Sequence, residues 1–251
     1  MQGELKTSRF IFLIVATAIY LIFFATFLYL IGFVAGLSAL PTNVDHGVAA
    51  SPLAAVAIDL ALIALFGLQH SVMARPGFKA VWTRIVPKPI ERSAYVLSAS
   101  LVLMLMFAEW RPIPGIVWQV DAPVTRIVLW TVFGAGWGIV LLSTFLINHF
   151  ELFGLSQVVR NLRNHTPAAP VLRMPFFYKL VRHPLYSGFI IAFWATPTMS
   201  YGHALLAVGM TTYMLIAIQF EERDLIDTFG QDYVAYRERV GMLAPKLRAR
   251  G

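Results

Sequence analysis

The sequence predicts an all-α, polytopic integral membrane protein: a bundle of about six helices whose last two form a tight hairpin. Hydrophobic residues make up 58% of the 251 residues and charged residues only 13%, whereas about one-quarter of a soluble domain is charged. The mean hydropathy is +0.70. The first apolar stretch, Phe10 to Leu37, exceeds the ~20 residues that span ~30 Å of hydrocarbon. This composition excludes a soluble enzyme and a disordered chain.

Six apolar segments account for the predicted bundle. The first is too long for a secretory signal, whose apolar region has about 7–15 residues, so we expect it to be a retained helix. Only Ser200-Tyr201-Gly202 separates the last two segments, which predicts the hairpin. The predicted spans are Phe10–Leu37, Pro52–Met73, Ser93–Ala108, Val124–Ile147, Pro184–Met199 and His203–Gln219.

The distribution of basic residues predicts the orientation. Every lysine and arginine except Arg111 and Arg126 lies in the amino tail, in the loops after the second and fourth segments, or in the carboxyl tail. By the positive-inside rule both termini are expected in the cytoplasm. Anionic lipid heads are a sufficient partner for the net charge of +7, so nucleic-acid binding is not expected.

Apolar residues from Phe220 onward recur at mainly three- to five-residue intervals, with a break at Gly230. This spacing predicts two short amphipathic helices on the cytoplasmic membrane surface, which either cover a site as a lid or only anchor the chain. The residues are Phe220, Leu225, Ile226, Phe229, Tyr233, Tyr236 and Val240.

Glycines and ionisable residues within or beside the apolar segments indicate how the predicted helices pack and pair. Glycines four apart favour close helix packing in lipid; the pairs are Gly32 with Gly36 and Gly134 with Gly138. Asp59, within the second segment, is equally compatible with a structural or a functional role. Glu109 and Arg111 are predicted to form an ion pair at the outer rim.

Four polar clusters are predicted to meet at the cytoplasmic mouth of the bundle. Gln69-His70 ends the second helix and Asn148–Glu151 ends the fourth, while Arg182–Gly188 opens the fifth and Glu221-Glu222 ends the sixth. Ionisable groups at membrane depth are costly, so their convergence indicates a functional site.

The start of the fifth helix has the features of an anion site. Pro184 suits a first helical turn, because its missing N–H costs nothing there. The free N–H groups and the positive end of the helix dipole favour an anion, and Arg182 reinforces them. Gly188 leaves room on the same face for a flat ligand. Glu221 and Glu222, adjacent carboxylates at a helix end, require a compensating cation.

An anion site beside a carboxylate pair suits a zwitterionic ligand with an additional positive charge. S-adenosylmethionine, which has a carboxylate, an ammonium and a sulfonium, is such a ligand. A haem-binding or transport membrane protein is a competing hypothesis, because His70, His149 and His183 could ligate iron. The chain has no cysteine, which excludes thiolate catalysis by the protein and cysteine-ligated metal sites.

At these residues the sequence resembles the membrane methyltransferases related to isoprenylcysteine carboxyl methyltransferase and phospholipid N-methyltransferase. Their Arg-His-Pro-x-Tyr-x-Gly element corresponds to Arg182–Gly188 and their later Glu-Glu pair to Glu221-Glu222. The resemblance covers roughly Pro170 to Pro245. It implies S-adenosylmethionine as the cofactor, with Glu221 or Glu222 taking its ribose or amino end. The other implied contacts are Tyr178, His183, Pro184, Tyr186 and Gly188.

A narrower resemblance concerns the amino-terminal half. Gln69–Pro76 and Asn148–Leu155 are similar to the bacterial methanethiol S-methyltransferases, which implies a small thiol substrate, dimethyl sulfide as product and a bacterial inner membrane. Where the isoprenylcysteine enzymes have an arginine, this chain has Ala217–Phe220, which argues against carboxyl methylation. A lipid amine or a prenyl-linked acceptor is the alternative substrate.

The implied reaction needs alignment, exclusion of water and loss of the thiol proton, but no metal. His149 is the first candidate base, with Glu151 orienting it or acting in its place and His70 in reserve. Within one membrane domain, residues 1–169 are predicted to form the acceptor side and residues 170–245 the cofactor-binding core. The sequence does not determine the oligomeric state.

Overall fold

The structure, a computed structural model, describes residues 2–166, 169 and 171–246. These residues form two compact units, each of which combines two stretches of the chain. The amino-terminal unit lies within Met1–Pro114 and Asn148–Ala169, and the carboxyl-terminal unit within Gly115–Ile147 and Pro170–Gly251.

Most of the described residues are helical, as expected for an all-α protein. Two 3₁₀ turns, Lys88–Ile90 and Phe176–Lys179, precede α4 and α8. The two strands are β1 (Ile116–Gln119) and β2 (Thr198–Ser200). The helices are α1 (Gln2–Val34), α2 (Pro52–Ala74), α3 (Pro76–Trp82), α4 (Glu91–Glu109), α5 (Pro123–Ile147), α6 (His149–Leu152), α7 (Leu155–Leu162), α8 (Pro184–Trp194), α9 (Tyr201–Phe229) and α10 (Gln231–Arg239).

Five helices in the described part of the chain are long enough and apolar enough to cross a membrane, and α8 is a shorter apolar helix. This confirms the predicted polytopic membrane fold. The exposed surfaces of these helices carry many large apolar side chains, as lipid-facing surfaces do. The five spans are Ser8–Val34, Pro52–Ala74, Lys88–Glu109, Pro123–Ile147 and Tyr201–Phe229.

The predicted end of the fifth segment is wrong. Helix α8 stops at Trp194 rather than at Met199, because Pro197 cannot continue a helix. The chain instead extends through β2, which pairs antiparallel with β1. The Ser200 hydroxyl then accepts a hydrogen bond from the His203 backbone N–H at 3.0 Å and so caps the start of α9.

The predicted end of the sixth segment is also wrong, because α9 continues through Glu221-Glu222 to Phe229. The first breaker after Gln219 is Gly230, whose φ is +57°. The first of the two predicted amphipathic helices is therefore the last part of α9, and α10 is the separate one. The acidic pair lies within a helix rather than at its end.

Two buried side chains of the amino-terminal unit, Trp110 and Asp59, make hydrogen bonds with backbone groups of distant residues. Trp110 is fully buried, and its indole N–H donates to the Val44 carbonyl at 3.1 Å. Asp59, also fully buried, accepts a hydrogen bond from the Arg111 backbone N–H at 2.9 Å. This contact gives Asp59 a structural role. The predicted rim ion pair is present, with Arg111 Nη2 2.6 Å from Glu109 Oε2.

The close helix contact of the carboxyl-terminal unit lies at a glycine that the sequence analysis did not single out. A Cβ at Gly136 would lie 2.8 Å from the Gly188 carbonyl oxygen, so α5 and α8 pack backbone to backbone there. A Cβ at Gly134 or Gly138 would meet no atom of the described residues within 4 Å. The packing role predicted for that pair is therefore wrong within this unit.

The other glycine pair belongs to the end of α1 rather than to a helix crossing. A Cβ at Gly32 would lie 2.8 Å from Leu40 Cδ1, in the loop that follows the helix. Gly36 has a φ of +65°, a left-handed conformation typical of the residue that follows a helix. These glycines let the chain fold back over the end of its own helix.

Candidate active site

The carboxyl-terminal unit is organised around the buried carboxylate of Glu222. Its Oε1 accepts hydrogen bonds from Arg182 Nε at 2.7 Å and from His183 Nε2 at 3.0 Å. Nδ1 of the same imidazole lies 3.9 Å from Oε2 of Glu221. We call Arg182, His183, Glu221 and Glu222 the acidic centre. Arg182 supplies a cation for Glu222, and Arg237 Nη1 lies 3.7 Å from the second oxygen of that carboxylate.

The segment after α10 closes the acidic centre from one side. Arg182 Nη1 donates to the carbonyl oxygens of Val240 at 2.5 Å and of Arg237 at 3.1 Å. The backbone N–H of Arg182 bonds Gly241 O, and that of His183 bonds Met242 O. Arg182 therefore connects the start of α8, the last part of α9 and the end of α10.

Three buried tyrosines pack around the acidic centre. The Tyr236 hydroxyl donates to the Tyr178 carbonyl at 2.5 Å. Burial raises the pKa of Tyr236 to about 12, and burial with the Glu221 charge raises the pKa of Tyr178 further. The Tyr233 hydroxyl is buried and has no hydrogen-bond partner among the described residues. Its pKa is also raised by burial, so all three phenols stay neutral at physiological pH.

Most of the residues predicted to bind the cofactor meet at this centre. The Tyr186 ring lies 5.7 Å from the His183 ring, and Pro184 begins α8 as predicted. Gly188 has a different position. A Cβ there would lie 2.7 Å from the Gly136 carbonyl and 2.9 Å from the Val140 backbone nitrogen. The space predicted for a flat ligand is occupied by α5, so Gly188 permits helix packing instead.

The amino-terminal unit holds a second polar site, at His149. This histidine is buried, and its Nε2 lies 2.8 Å from the Tyr20 hydroxyl of α1. Its ring makes edge contacts with Tyr20, Phe150 and Phe153 at centroid distances of 4.9–5.7 Å. Burial lowers the pKa of His149. The imidazole is therefore neutral near pH 7 and can accept a proton.

A hydrogen bond and a close contact at a glycine hold α6, and with it His149, against α4. Arg92 Nε donates to the Leu152 carbonyl at 2.7 Å. Gly154 has a φ of +93°, and a Cβ there would lie 2.5 Å from Ser93 Oγ. Only glycine allows this turn to approach the start of α4 so closely.

The two carboxylate oxygens of Glu151 bind other residues. Oε2 accepts from Asn148 Nδ2 at 2.7 Å, and Oε1 accepts from Arg160 Nη2 at 2.9 Å. The residue within hydrogen-bond distance of His149 Nε2 is Tyr20, a contact that the sequence analysis did not predict. Tyr20 lies in an uninterrupted apolar stretch, and its distance along the chain from His149 gave no signal of the contact.

His70 lies at the edge of the same apolar cluster as His149. Its ring is 5.0 Å from the Tyr95 ring, and its carbonyl accepts from the Tyr95 hydroxyl at 3.3 Å. Tyr95 packs in a cluster with Ile19, Met73 and Val96, against which Phe153 also packs. The two histidines predicted on the acceptor side therefore border one aromatic cluster within this unit.

With this geometry in place, comparison with known proteins identifies the family. Methanethiol S-methyltransferase 1 of Bradyrhizobium diazoefficiens is 52% identical over 244 residues, which cover 97% of this chain and 85% of the relative. The chain belongs to the methanethiol S-methyltransferase family. The methanethiol S-methyltransferase of Mycobacterium tuberculosis is 49% identical over 238 residues, covering 95% of this chain and 97% of the relative. As a family member the chain is a methyltransferase.

More distant relatives share part of the chain. Nurim of Pan troglodytes is 32% identical over 188 residues, which cover 70% of each chain. No family model matches the chain, and no solved structure matches it significantly. The membrane methyltransferase resemblance of the sequence is confirmed by the methanethiol S-methyltransferase relatives.

Proposed function

We propose that this protein transfers a methyl group from S-adenosylmethionine to a small thiol, converting methanethiol to dimethyl sulfide. The observation that carries the proposal is 46–52% identity, over most of the chain, to proteins named methanethiol S-methyltransferase. The acidic centre would hold the donor, and His149 would take the thiol proton.

The acidic centre fits the proposed donor. Helix α8 starts with no side-chain cap, so the first-turn N–H groups after Pro184 are available to a carboxylate. The Glu221 side chain is 46% exposed and suits an ammonium or a ribose, whereas Glu222 is already bound by Arg182 and His183. The buried Tyr233 hydroxyl without a partner in the described residues is a further polar group for a ligand.

When bound, S-adenosylmethionine would supply a methyl group made electrophilic by its sulfonium. The chain has to remove the thiol proton and exclude water. An alkane thiol is mostly protonated at pH 7, so a base raises the fraction of thiolate. His149 is suited to this task, because burial lowers the pKa of His149 and keeps it neutral. The surrounding aromatic rings limit the access of water.

We further propose that the reaction occurs at the cytoplasmic side of a bacterial inner membrane, with both termini in the cytoplasm. The basic residues concentrated in the loops that follow α2 and α5 support this orientation. Methanethiol is small and apolar and can reach the site through the bilayer. The intracellular donor would come from the cytoplasm.

The test is product formation by the purified protein in lipid nanodiscs. With methyl-labelled S-adenosylmethionine and methanethiol, we expect labelled dimethyl sulfide in the headspace. His149→Gln should lower kcat/KM about 100-fold, the size of a typical general-base contribution. The matched control is His46→Gln, which replaces an exposed loop histidine. Methylation of a lipid amine or a prenyl-linked acceptor, with no dimethyl sulfide, would refute the thiol proposal.

A further inference from the structure

We propose that Tyr20 is a positioning residue of the reaction: its phenolic oxygen accepts the Nε2–H of His149 and leaves Nδ1 to take the thiol proton. This inference rests on the proposed function. The residue lies on α1, in an apolar stretch that carries no motif. The contact that supports the inference is the 2.8 Å separation of Tyr20 Oη and His149 Nε2.

The tautomer of His149 decides which of its two nitrogens can act as a base. A neutral imidazole has one N–H and one lone pair, on different nitrogens. A partner that accepts from Nε2–H fixes the lone pair on Nδ1. In the proton transfer the S–H bond breaks, its electron pair stays on sulfur, and the proton bonds to Nδ1. The resulting imidazolium keeps its Nε2–H···O bond to Tyr20 and later releases the proton to water.

The packing around the pair holds the hydroxyl in place. The Tyr20 ring contacts Phe23 and Phe24 of its own helix and Phe150 and Phe153 beside His149, at centroid distances of 6.2–6.5 Å. Removal of the hydroxyl alone leaves these ring contacts intact. Tyr20→Phe therefore tests the hydrogen bond rather than the packing.

The charged groups near His149 have partners of their own. Glu151, two residues along α6, binds Arg160 of α7 and Asn148. Arg92, at the start of α4, donates to the Leu152 carbonyl and lies over the Tyr95 ring. On α1, the titratable group in contact with His149 is the Tyr20 phenol, and on α2 the His70 ring lies 5.0 Å from the Tyr95 ring. These other charges are unchanged in Tyr20→Phe, so a change in the His149 titration reports the lost hydrogen bond.

The direction of the expected pH effect follows from the proposal that the Tyr20 oxygen accepts the Nε2–H of His149. An acceptor on Nε2–H stabilises the imidazolium more than the neutral ring, since a hydrogen bond from a charged donor is stronger. Loss of the acceptor therefore lowers the pKa of His149. The acid limb of kcat/KM, where activity falls as His149 becomes protonated, should move to lower pH in Tyr20→Phe.

The experiment compares wild type and Tyr20→Phe in two measurements. The pH profile of dimethyl sulfide formation should show the acid limb at lower pH and a plateau kcat/KM reduced about tenfold, as expected for a hydrogen bond to a charged group. Nitrogen NMR of protein with isotope-labelled histidine, recorded without the donor, should show a lower pKa of His149 in Tyr20→Phe than in wild type. The chain has six histidines, and His149→Gln assigns the signal.

Tyr29→Phe is the matched control. It removes the same hydroxyl from the same helix, but this hydroxyl donates to the Thr42 carbonyl at 2.9 Å, away from His149. We expect the acid limb and the His149 titration to be unchanged in this variant.

Three results would overturn the inference. The first is an acid limb that stays in place, and the second is one that moves to higher pH, which would make Tyr20 a donor to Nε2. The third is a wild-type nitrogen spectrum with the neutral His149 proton on Nδ1, a measurement that needs no Tyr20 variant. If wild type forms no dimethyl sulfide, the proposed function fails; if it does and Tyr20→Phe behaves as wild type, only this inference fails.

Discussion

Two neighbouring glutamates have opposite environments in this protein. Glu222 is buried and bound by Arg182 and His183, at 2.7 and 3.0 Å. The Glu221 side chain is 46% exposed and lies 3.9 Å from His183 Nδ1. The helical twist of α9 turns one carboxylate into the protein and leaves the other accessible. Glu222 therefore has a structural role, and Glu221 is left for the proposed binding of the donor.

Substitution of each glutamate by glutamine should separate these roles. Glu222→Gln leaves the buried Arg182 guanidinium without its counter-charge, which we expect to cost about 3 kcal/mol of stability. Glu221→Gln should change stability by less than about 0.5 kcal/mol but weaken donor binding several-fold. Thermal unfolding in detergent and donor titration measure the two effects. Equal losses of stability in both variants would contradict the division.

Sequence reasoning identified the polar residues of both units but not their partners. Arg182, His183 and the glutamate pair could be found because charged residues are rare within such an apolar chain. The Tyr20 contact could not be predicted, because it joins residues 129 positions apart and tyrosine is common in membrane helices. The space beside Gly188 was wrongly predicted to hold a ligand. A glycine that makes room for a ligand and a glycine that makes room for a neighbouring helix look the same in a sequence.

At the scale of helices, the contact between α5 and α8 depends on two facing glycines. A Cβ at Gly136 would lie 2.8 Å from the Gly188 carbonyl, and one at Gly188 would lie 2.7 Å from the Gly136 carbonyl. Backbone atoms cannot rotate away as a side chain can, so any larger residue separates the helices. This contact also fixes the start of α8, which carries Arg182 and His183 just before it.

Gly188→Ala should therefore destabilise the protein by about 1–3 kcal/mol through overpacking. Gly138→Ala is the matched control on α5, because its Cβ would meet no described atom within 4 Å. That change should be neutral or slightly stabilising, since alanine is the better helix former. Midpoints of thermal unfolding in the same detergent compare the two. A larger loss in Gly138→Ala would contradict the packing assignment.

The helix boundaries that were predicted correctly are those marked by a proline or by a change from apolar to polar residues. Pro52 begins α2 as expected, and α5 ends at Ile147, just before the polar Asn148. The extension of α9 to Phe229 was missed, because charged residues past Gln219 suggested the membrane surface although they favour helix as well. The pairing of β1 with β2 was missed since it depends on distant segments.

At the scale of the whole molecule, the orientation in the membrane is open to direct measurement. The chain has no cysteine, so single cysteines can be introduced into an otherwise unreactive background. Val48, 60% exposed in the loop between α1 and α2, is predicted outside, and Ile85, 79% exposed after α3, is predicted in the cytoplasm. Both positions belong to the amino-terminal unit.

An impermeant maleimide should label Val48→Cys in intact spheroplasts and Ile85→Cys only in inverted vesicles. The expected result follows from the basic residues around Ile85, which the positive-inside rule assigns to the cytoplasm. A permeant maleimide that labels both variants is the control for reactivity. The reverse pattern would place the termini outside the cell.

The contacts of Gly241 and Met242 have a consequence for biosynthesis. Their carbonyl oxygens hold the backbone of Arg182 and His183, yet they are among the last of the described residues to leave the ribosome. The apolar helices are therefore synthesised before the hydrogen bonds from Arg182 and His183 to these two carbonyl groups can form. The acidic centre can therefore be completed only after helices α1 to α10 have been synthesised.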